Sequence, residues 1–470
     1  MGAPLIWILS PILIAAGLMI IRKERPQMAG YIQTAFCFLL GLLLVVSRFE
    51  DSSPDAWRIF EFEPEFSFLG RSLILEDGDR FLTGLFYALT TLWSLILTVS
   101  QVRSKFIPLG LVLMSMLLAA IAVEPFLYAA FILQMGVVIS ILMAIDVSSG
   151  QSKGVLRLLI FFTMGMPFIL LAGWYLSGGE TGPINELQLA QATLLLGLGF
   201  VFWLSVFPFH SWIPLVLEES EIQESLFIIV LVPFAVMIIL LKYLNGFVWL
   251  REYGLVFQAL ELFGIIMSAA GSLWAAFQTH LRKLIGYLGM ANIGFLLLAI
   301  GLGRPQGYLI FAQLAAPRML SYLLFVTVLL TLEKTKPLKR LEDLLMIGWS
   351  HPVASIGLIV AVANLIGMPL TAGFYPTLAL LQAVYRESTM LGIILVGGNT
   401  MLAFLLFNMF TLIFQRRDDD YDGEYLQKED NRDRIIIASL VFVVVMAGLI
   451  PNTIYPRFEQ LLINLEFLVQ

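Results

Sequence analysis

The sequence has 470 residues, of which 59% are hydrophobic and only 13% are charged, whereas soluble globular proteins carry about 25% charged residues. So few charges, with a mean hydropathy of +0.89, exclude a water-soluble protein of this size. The net charge of −6 argues against a nucleic-acid partner. A single cysteine, Cys37, excludes an internal disulfide and a thiolate metal site, and the three histidines lie far apart, so we expect no metal.

The first apolar run, residues 4–21, lacks a preceding positive segment and is followed by Arg22, Lys23 and Arg25. This charge order is wrong for a cleaved signal peptide. The run therefore predicts a retained first helix.

Apolar runs of about 20 residues, the length that crosses a bilayer, recur along the chain. They predict an all-α polytopic membrane protein of about fourteen transmembrane helices. The predicted spans are 4–21, 29–47, 81–100, 106–123, 125–145, 155–176, 188–207, 225–244, 255–276, 284–303, 307–331, 352–387, 391–414 and 435–452.

The segment 352–387 is too long for one ordinary span and contains Gly367-Met368-Pro369 and Gly373-Phe374-Tyr375-Pro376. Glycine and proline at these points predict a broken helix. Backbone breaks at membrane depth only where protein or a water-filled cavity satisfies its polar groups.

An even number of spans places both termini on one side. The loops on the side of 22–28 carry about twice as many Lys and Arg residues as those on the other side. The positive-inside rule therefore predicts that both termini lie outside the cytoplasm. Loop 208–224 is an exception, since it has acids and no Lys or Arg.

The chain divides into three predicted segments. Residues 1–80 comprise N-terminal helices and an acidic extracytoplasmic loop, in which 66–69 and 72–75 have the pattern of strands. Residues 81–414 form the transmembrane core. Residues 415–470 comprise an acidic cytoplasmic loop with Asp418-Asp419-Asp420, a last helix and a tail.

Ionisable residues inside spans are expensive and are therefore candidates for an ion path. Glu124 is such a candidate or an interfacial carboxylate near water. His210 is a structural residue at a helix end or a proton carrier. Glu261 is a proton-labile site or an acid paired with a neighbouring helix.

Two basic residues complete the set. Arg318 stays charged and cannot relay protons by ordinary titration, so we expect it to anchor an acid or the carbonyls freed by Pro317. Lys242 is a path residue or simply extends to the interface. The acidic run 218–224 is a solvated loop, a cation-attracting mouth or a docking surface.

Four segments carry a resemblance to a known family. They are Gly197-Leu198-Gly199-Phe200 leading to Pro208-Phe209-His210-Ser211-Trp212-Ile213-Pro214, then Gln278 to Tyr287, then Gly367-Met368-Pro369 with Gly373-Phe374, and Lys339 to Leu344. Over residues 80–450 the sequence resembles the antiporter-like membrane subunits of respiratory complex I and their relatives in Mrp-type antiporters and membrane-bound hydrogenases.

The resemblance implies two inverted five-helix repeats with broken helices. In the family, lysines and glutamates on the fifth, seventh, eighth and twelfth helices form a polar axis. At the matching positions this sequence has Leu133 or Gln134, Trp203, Phe234 and Thr377. None of these side chains changes charge, which a proton relay requires.

The resemblance therefore implies a membrane-arm subunit of a complex I-like (NADH:quinone oxidoreductase-type) assembly, a scaffold with a degenerate proton channel. One alternative is an active proton or sodium transporter that uses a divergent path through Glu261 and Arg318. Another is a docking subunit that recruits soluble partners through acidic loops 218–224 and 418–433.

The expected partners are other membrane-arm subunits and lipids. The expected location is an energy-coupling membrane such as the bacterial inner membrane. This chain is not expected to bind a cofactor, and quinone, flavin and iron–sulfur clusters are expected elsewhere in the complex, where electron transfer to quinone would couple to proton or sodium movement.

Overall fold

A computed structural model describes residues 2–49, 60–68, 70–145, 152–177, 186–335, 337–415, 429–465 and 468. The described chain is mostly helical, as predicted. The acidic loop with Asp418, Asp419 and Asp420 lies outside the described residues.

The helices follow one another along the chain, and the longest connection between two of them runs from α2 to α3. In order they are α1 Ser10–Glu24, α2 Pro26–Val46, α3 Asp79–Val99, α4 Phe106–Ala122, α5 Ala129–Ala144, α6 Lys153–Ser177, α7 Glu186–Trp203, α8 Trp212–Glu219, α9 Ile222–Gly246, α10 Val248–Glu252, α11 Gly254–Ala276, α12 Leu281–Gly301, α13 Pro305–Glu333, α14 Ile347–Ser350, α15 Pro352–Ile366, α16 Phe374–Glu387, α17 Thr389–Ile413, α18 Asn431–Leu449 and α19 Pro451–Phe458.

A helix overlaps each of the fourteen predicted spans, and the span 352–387 contains two, because helices satisfy their backbone polar groups internally. Among the described residues, eleven helices are long and apolar enough to cross a membrane, or twelve if α18 and the helix that follows it at 95° form one bent span. Helices α4 and α15 are apolar but shorter, with 17 and 15 residues. The number fourteen and the inverted repeats stay predictions.

The predicted broken helix is present. Residues 352–387 form α15 and α16, which are separated by 367–373. Gly367 ends α15 with a φ of +78°, a left-handed conformation that glycine adopts without strain.

The acidic N-terminal loop contains short strands rather than helices. Strands β3 Glu65–Phe68 and β4 Arg71–Ile74 pair antiparallel near the two segments predicted as strands, and β5 Val123–Glu124 pairs with β4. Two further short strands, β1 Ser47–Arg48 and β2 Phe60–Glu61, pair in parallel.

The chain forms two compact units. The first contains residues 1–212, 227–256 and 460–470, and the second contains 213–226 and 257–459. In the first unit the most apolar part of α9 is completely buried, and in the second α12 and α13 are almost completely buried. These helices are the cores of their units. The division into 1–80, 81–414 and 415–470 stays a prediction.

The prediction of a loop over 208–224 is wrong. Residues Trp212–Glu219 form α8, and α9 begins at Ile222. The run Trp212-Ile213-Pro214-Leu215-Val216-Leu217 is apolar, and Trp212, Ile213, Val216 and Leu217 are completely buried. The segment therefore forms a short helix because its apolar face is buried, although its acidic residues indicated a solvent-exposed loop.

Candidate functional site: the interiors of the two units

Trp203 is the last residue of α7 and occupies the position at which the resemblance implies a lysine. Its side chain is buried, and its Nε1 donates a hydrogen bond of 3.1 Å to the backbone carbonyl of Phe162 on α6. The polar atom of the indole is thus bound to the protein itself. A buried tryptophan held in this way cannot gain or lose a proton.

Glycines make room for this indole. A Cβ at Gly165 on α6 would lie 2.5 Å from Cδ1 of Trp203, and a Cβ at Gly199 on α7 would lie 2.6 Å from Ile169. Because neither position carries a side chain, α6 and α7 pack closely and Trp203 lies flat against α6. The large side chain of Trp203 and the missing side chain of Gly165 are therefore complementary in shape.

Aromatic rings fill much of the rest of the first unit. Phe234, at the second implied lysine position, is buried with its ring 6.2 Å from that of Phe86. Further along α9, Phe227 makes edge contacts with Trp93 at 5.3 Å and Phe106 at 4.7 Å. The α9 surface that would line a path is packed with rings.

The turn after α7 contains His210. The His210 ring stacks on Phe207 at 5.5 Å, and only 8% of the residue is exposed. Burial lowers the pKa of His210 to about 4, so the imidazole is neutral near pH 7. Trp212 donates a 2.6 Å hydrogen bond to the hydroxyl of Ser205, which closes the turn.

The remaining candidates of the first unit have other surroundings. Lys242 pairs with Asp79 at 3.4 Å. Gln134 donates a 2.8 Å hydrogen bond to Thr163. Glu124 is exposed in strand β5, opposite Ser72, a position that suits an interfacial carboxylate.

The second unit has a polar interior. Asn364, near the end of α15, is buried and makes three hydrogen bonds. Its Nδ2 donates to the carbonyl of Pro317 at 2.6 Å and to the hydroxyl of Ser321 at 2.7 Å, and its Oδ1 accepts from the N–H of Gly373 at 2.7 Å. One side chain thus joins the two halves of the broken helix to α13, next to the proline of that helix.

Thr377, at the implied twelfth-helix position, is buried on α16. A Cβ at Gly367 would lie 2.6 Å from its Cβ and Oγ1. The small threonine and the bare glycine let α16 close over the end of α15. A long Lys or Glu side chain has no equivalent space in this packing.

Arg318 is buried on α13. Its Nη1 donates a 2.5 Å hydrogen bond to the backbone carbonyl of Asn292 on α12, and its guanidinium lies 5.2 Å from the ring centre of Phe295. Within the described chain, Nη2 of Arg318 and Oδ1 of Asn292 are buried without a hydrogen-bond partner. Arg318 was expected to bind an acid or the carbonyls freed by Pro317. It binds a carbonyl of α12 instead, because its long side chain extends to the neighbouring helix.

Glu261 lies on α11 and is partly buried. Its Oε1 has no hydrogen-bond partner among the described residues, and its carboxylate interacts electrostatically with Glu387 and Arg304. Arg304 and Glu387 pair with each other at 3.2 Å. This acid and Arg318 are among the polar groups of the second unit that have atoms without a hydrogen-bond partner in the described chain.

Part of the acidic run is used structurally. Glu218 on α8 pairs with Lys283 on α12 at 2.9 Å, and Glu224 at the start of α9 is buried. Arg282, next to Lys283, binds both oxygens of Glu333 at 2.8 and 3.0 Å. The solvated-loop interpretation therefore does not describe Glu218 or Glu224.

Sequence reasoning missed Asn364, Glu333 and the pair Lys334–Asp433, whose atoms lie 2.5 Å apart. The rule that singled out charged residues in spans would have found Asn364 if it had included amides. The ion pairs join residues as far apart as 334 and 433, which no local pattern connects.

A series of apolar helices, one of them broken, with close contacts at buried glycines defines a polytopic membrane protein. The family model for NADH:quinone oxidoreductase/Mrp antiporter transmembrane proteins matches residues 168–403. Because this match covers half of the chain, the protein belongs to that family.

Among curated proteins, the chain is 28% identical over 306 residues to NADH-quinone oxidoreductase subunit N 1 of Herpetosiphon aurantiacus, an alignment of 60% of this chain and 62% of that protein. It is 23% identical over 303 residues to NADH-quinone oxidoreductase subunit N of Deinococcus radiodurans, covering 61% of each. The chain thus spans about three-fifths of the length of these relatives.

Solved structures show the same fold. A chain of respiratory complex I from Thermus thermophilus matches with a TM-score of 0.74 and 18% identity, over 96% of this chain and 98% of that one. A chain of the archaeal membrane-bound sulfane sulfur reductase gives 0.82 and 13%, over 99% and 98%. A chain of the Mrp complex from Dietzia sp. DQ12-45-1b gives 0.79 and 14%, over 100% and 99%.

Proposed function

We propose that this chain is a membrane-arm subunit of a complex I-like or Mrp-like assembly and serves there as a scaffold with a degenerate proton channel. Family membership supports the antiporter-like role. One observation carries the scaffold proposal, which is that Trp203 seals the first unit at the implied lysine position by binding the carbonyl of Phe162.

The physical reason lies in the cost of charge in an apolar interior. A proton path needs side chains that change charge and water or polar groups to solvate them. Around Trp203 and Phe234 the first unit offers rings and glycines. The chain would therefore hold sibling subunits in place, with both termini outside the cytoplasm of a bacterial inner membrane, while quinone, flavin and iron–sulfur clusters bind elsewhere in the complex.

The test is proton flux. The full chain is reconstituted in liposomes with a pH-sensitive dye inside, and an imposed potential drives protons. We expect flux equal to that of protein-free liposomes. Flux that rises with protein content and falls in Glu261→Gln, but not in Glu252→Gln, contradicts the scaffold. Glu252 is the matched control because it is an exposed acid on α10.

A second function has specific support. Glu261 and Arg318 keep unused hydrogen-bonding capacity in the second unit, as a divergent ion path would need. In this version Glu261 carries the proton, Arg318 supplies a fixed positive charge elsewhere in the unit, and Glu387 and Arg304 are the charges that act on Glu261. The same liposome experiment separates the two functions, and sodium flux is measured in parallel.

The docking function depends on acids that stay free for a partner. Glu218 is already paired with Lys283 and Asp433 with Lys334, so this function would depend on the other acidic residues of 218–224 and 418–433. Charge reversal of Asp418, Asp419 and Asp420 tests it, because co-purification of soluble partners should then be lost. Unchanged co-purification contradicts it.

A further inference from the structure

A groove of about 530 Å³ opens in the first unit where two pairs of helices turn. It lies beside the connection between α1 and α2 and the connection between α3 and α4. We call it the arginine groove, and its lining includes Arg25, Gln27, Met28, Thr98, Gln101 and Arg103.

The charged residues that line the groove are all positive. Arg25 and Arg103 both line it and both are exposed. Among its described lining residues none is acidic, and within the described chain neither arginine pairs with a carboxylate. Two guanidinium groups that face one concave space repel each other, so an anion between them would lower the energy. Gln27 and Gln101 add exposed amide donors beside them, whereas the hydroxyl of Thr98 donates to the carbonyl of Ser94.

The surroundings of the groove are apolar. Met28 lines the groove and is 48% exposed, and Tyr31, one turn further along α2, is 55% exposed. On α1, Ile20 is 75% exposed. Both connections lie at the ends of transmembrane helices, on the side that the positive-inside rule assigns to the cytoplasm. The ligand that suits this surface has an anionic head and apolar chains.

We propose that the arginine groove binds the phosphate headgroup of an anionic phospholipid, whose acyl chains lie along α1 and α2. Arginine presents a planar fork of N–H donors that matches phosphate oxygens in a bidentate way. Basic pockets between transmembrane helices bind anionic headgroups through this chemistry. A free phosphate would use the arginines but not the exposed apolar faces, so the proposal commits to the lipid.

The test measures lipid retention. The full chain is purified in detergent, phosphatidylglycerol is titrated in, and the bound fraction is counted by native mass spectrometry. Because each cation near an anionic headgroup contributes about fivefold to affinity, we expect Arg25→Gln/Arg103→Gln to bind roughly 30-fold more weakly. The matched control is Lys23→Gln/Arg432→Gln, which removes the same charge from exposed residues on the same predicted side, outside the groove. It should bind like the unchanged protein.

Three further measurements complete the test. Phosphatidylcholine should bind no better to the unchanged protein than to the double variant, and inorganic phosphate should not displace phosphatidylglycerol. If the double variant does not fold, Gln27→Glu, which adds a negative charge to the groove lining, should weaken phosphatidylglycerol binding about fivefold. Equal weakening by the control pair, or displacement by inorganic phosphate, overturns the proposal.

Discussion

The interiors of the two units differ in the side chains that surround the positions where the resemblance implies ionisable residues. In the first unit the implied lysine positions are filled by Trp203 and Phe234, packed against glycine and other rings. In the second unit Thr377 fills its position, but Arg318 and Asn364 keep a polar interior. A helix that is broken inside a membrane must have its backbone satisfied by protein, and Asn364 does this at the N–H of Gly373 between α15 and α16. The positions around Trp203 and Phe234 are thus packed with apolar groups, whereas the broken helix of the second unit keeps polar side chains around it.

The largest expected effect is on the free energy of unfolding and comes from removing the Trp203 side chain of the first unit. Trp203→Ala removes a buried indole between α6 and α7 and should lower the free energy of unfolding by about 4 kcal/mol. Chemical denaturation of the detergent-purified protein measures it. The control is Trp174→Ala on α6, whose residue is 67% exposed and whose loss should change stability little. Equal losses at both positions would show that the indole of Trp203 does not fill the first unit.

In the second unit the corresponding test is Asn364→Ala. It leaves the N–H of Gly373 and the carbonyl of Pro317 without this partner, at an expected loss of about 3 kcal/mol. Asn399→Ala is the matched control, because Asn399 makes one hydrogen bond, of 3.3 Å to the carbonyl of Ile366. Thermal unfolding of the two variants should differ clearly. If Asn399→Ala is as harmful, the broken helix does not depend on Asn364.

A smaller effect tests the complementarity of tryptophan and glycine. Gly165→Ala places a Cβ against Trp203 and should cost about 2 kcal/mol of unfolding free energy. Gly197→Ala on α7, where nothing lies within 4 Å of an added Cβ, should be neutral or slightly stabilising. In the Trp203→Ala background the cost of Gly165→Ala should fall, although the added Cβ would still lie 3.0 Å from the carbonyl of Gly199. An undiminished cost there would mean that another contact of Gly165 is responsible.

The smallest effect concerns His210 and pH. Because burial lowers its pKa to about 4 from about 6.5 in the unfolded chain, the unfolded state binds more protons between these values. The stability contributed by neutral His210 is therefore complete above pH 6.5 and is lost as the pH falls towards 4. The difference in Tm between the unchanged protein and His210→Asn should change across this window. A constant difference would mean that His210 is solvated.

The sequence alone determined a large part of this molecule. Apolar runs of span length fixed where the helices lie, since a bilayer leaves the backbone few alternatives. Gly367, Pro369 and Gly373 marked the broken helix, and the motifs around Pro208 and Gln278 identified the family. The substitutions at Trp203, Phe234 and Thr377 were also visible, because they needed only a comparison of positions.

The tertiary structure decided what those residues do. Trp203 binds the carbonyl of Phe162 and lies on Gly165, Arg318 binds the carbonyl of Asn292, and Glu218 pairs with Lys283. Each contact joins residues that are distant in sequence, and a side chain several bonds long can reach more than one neighbouring helix. Periodicity shows which residues face inward, but only the packed arrangement of helices determines which backbone carbonyl or charge each one meets.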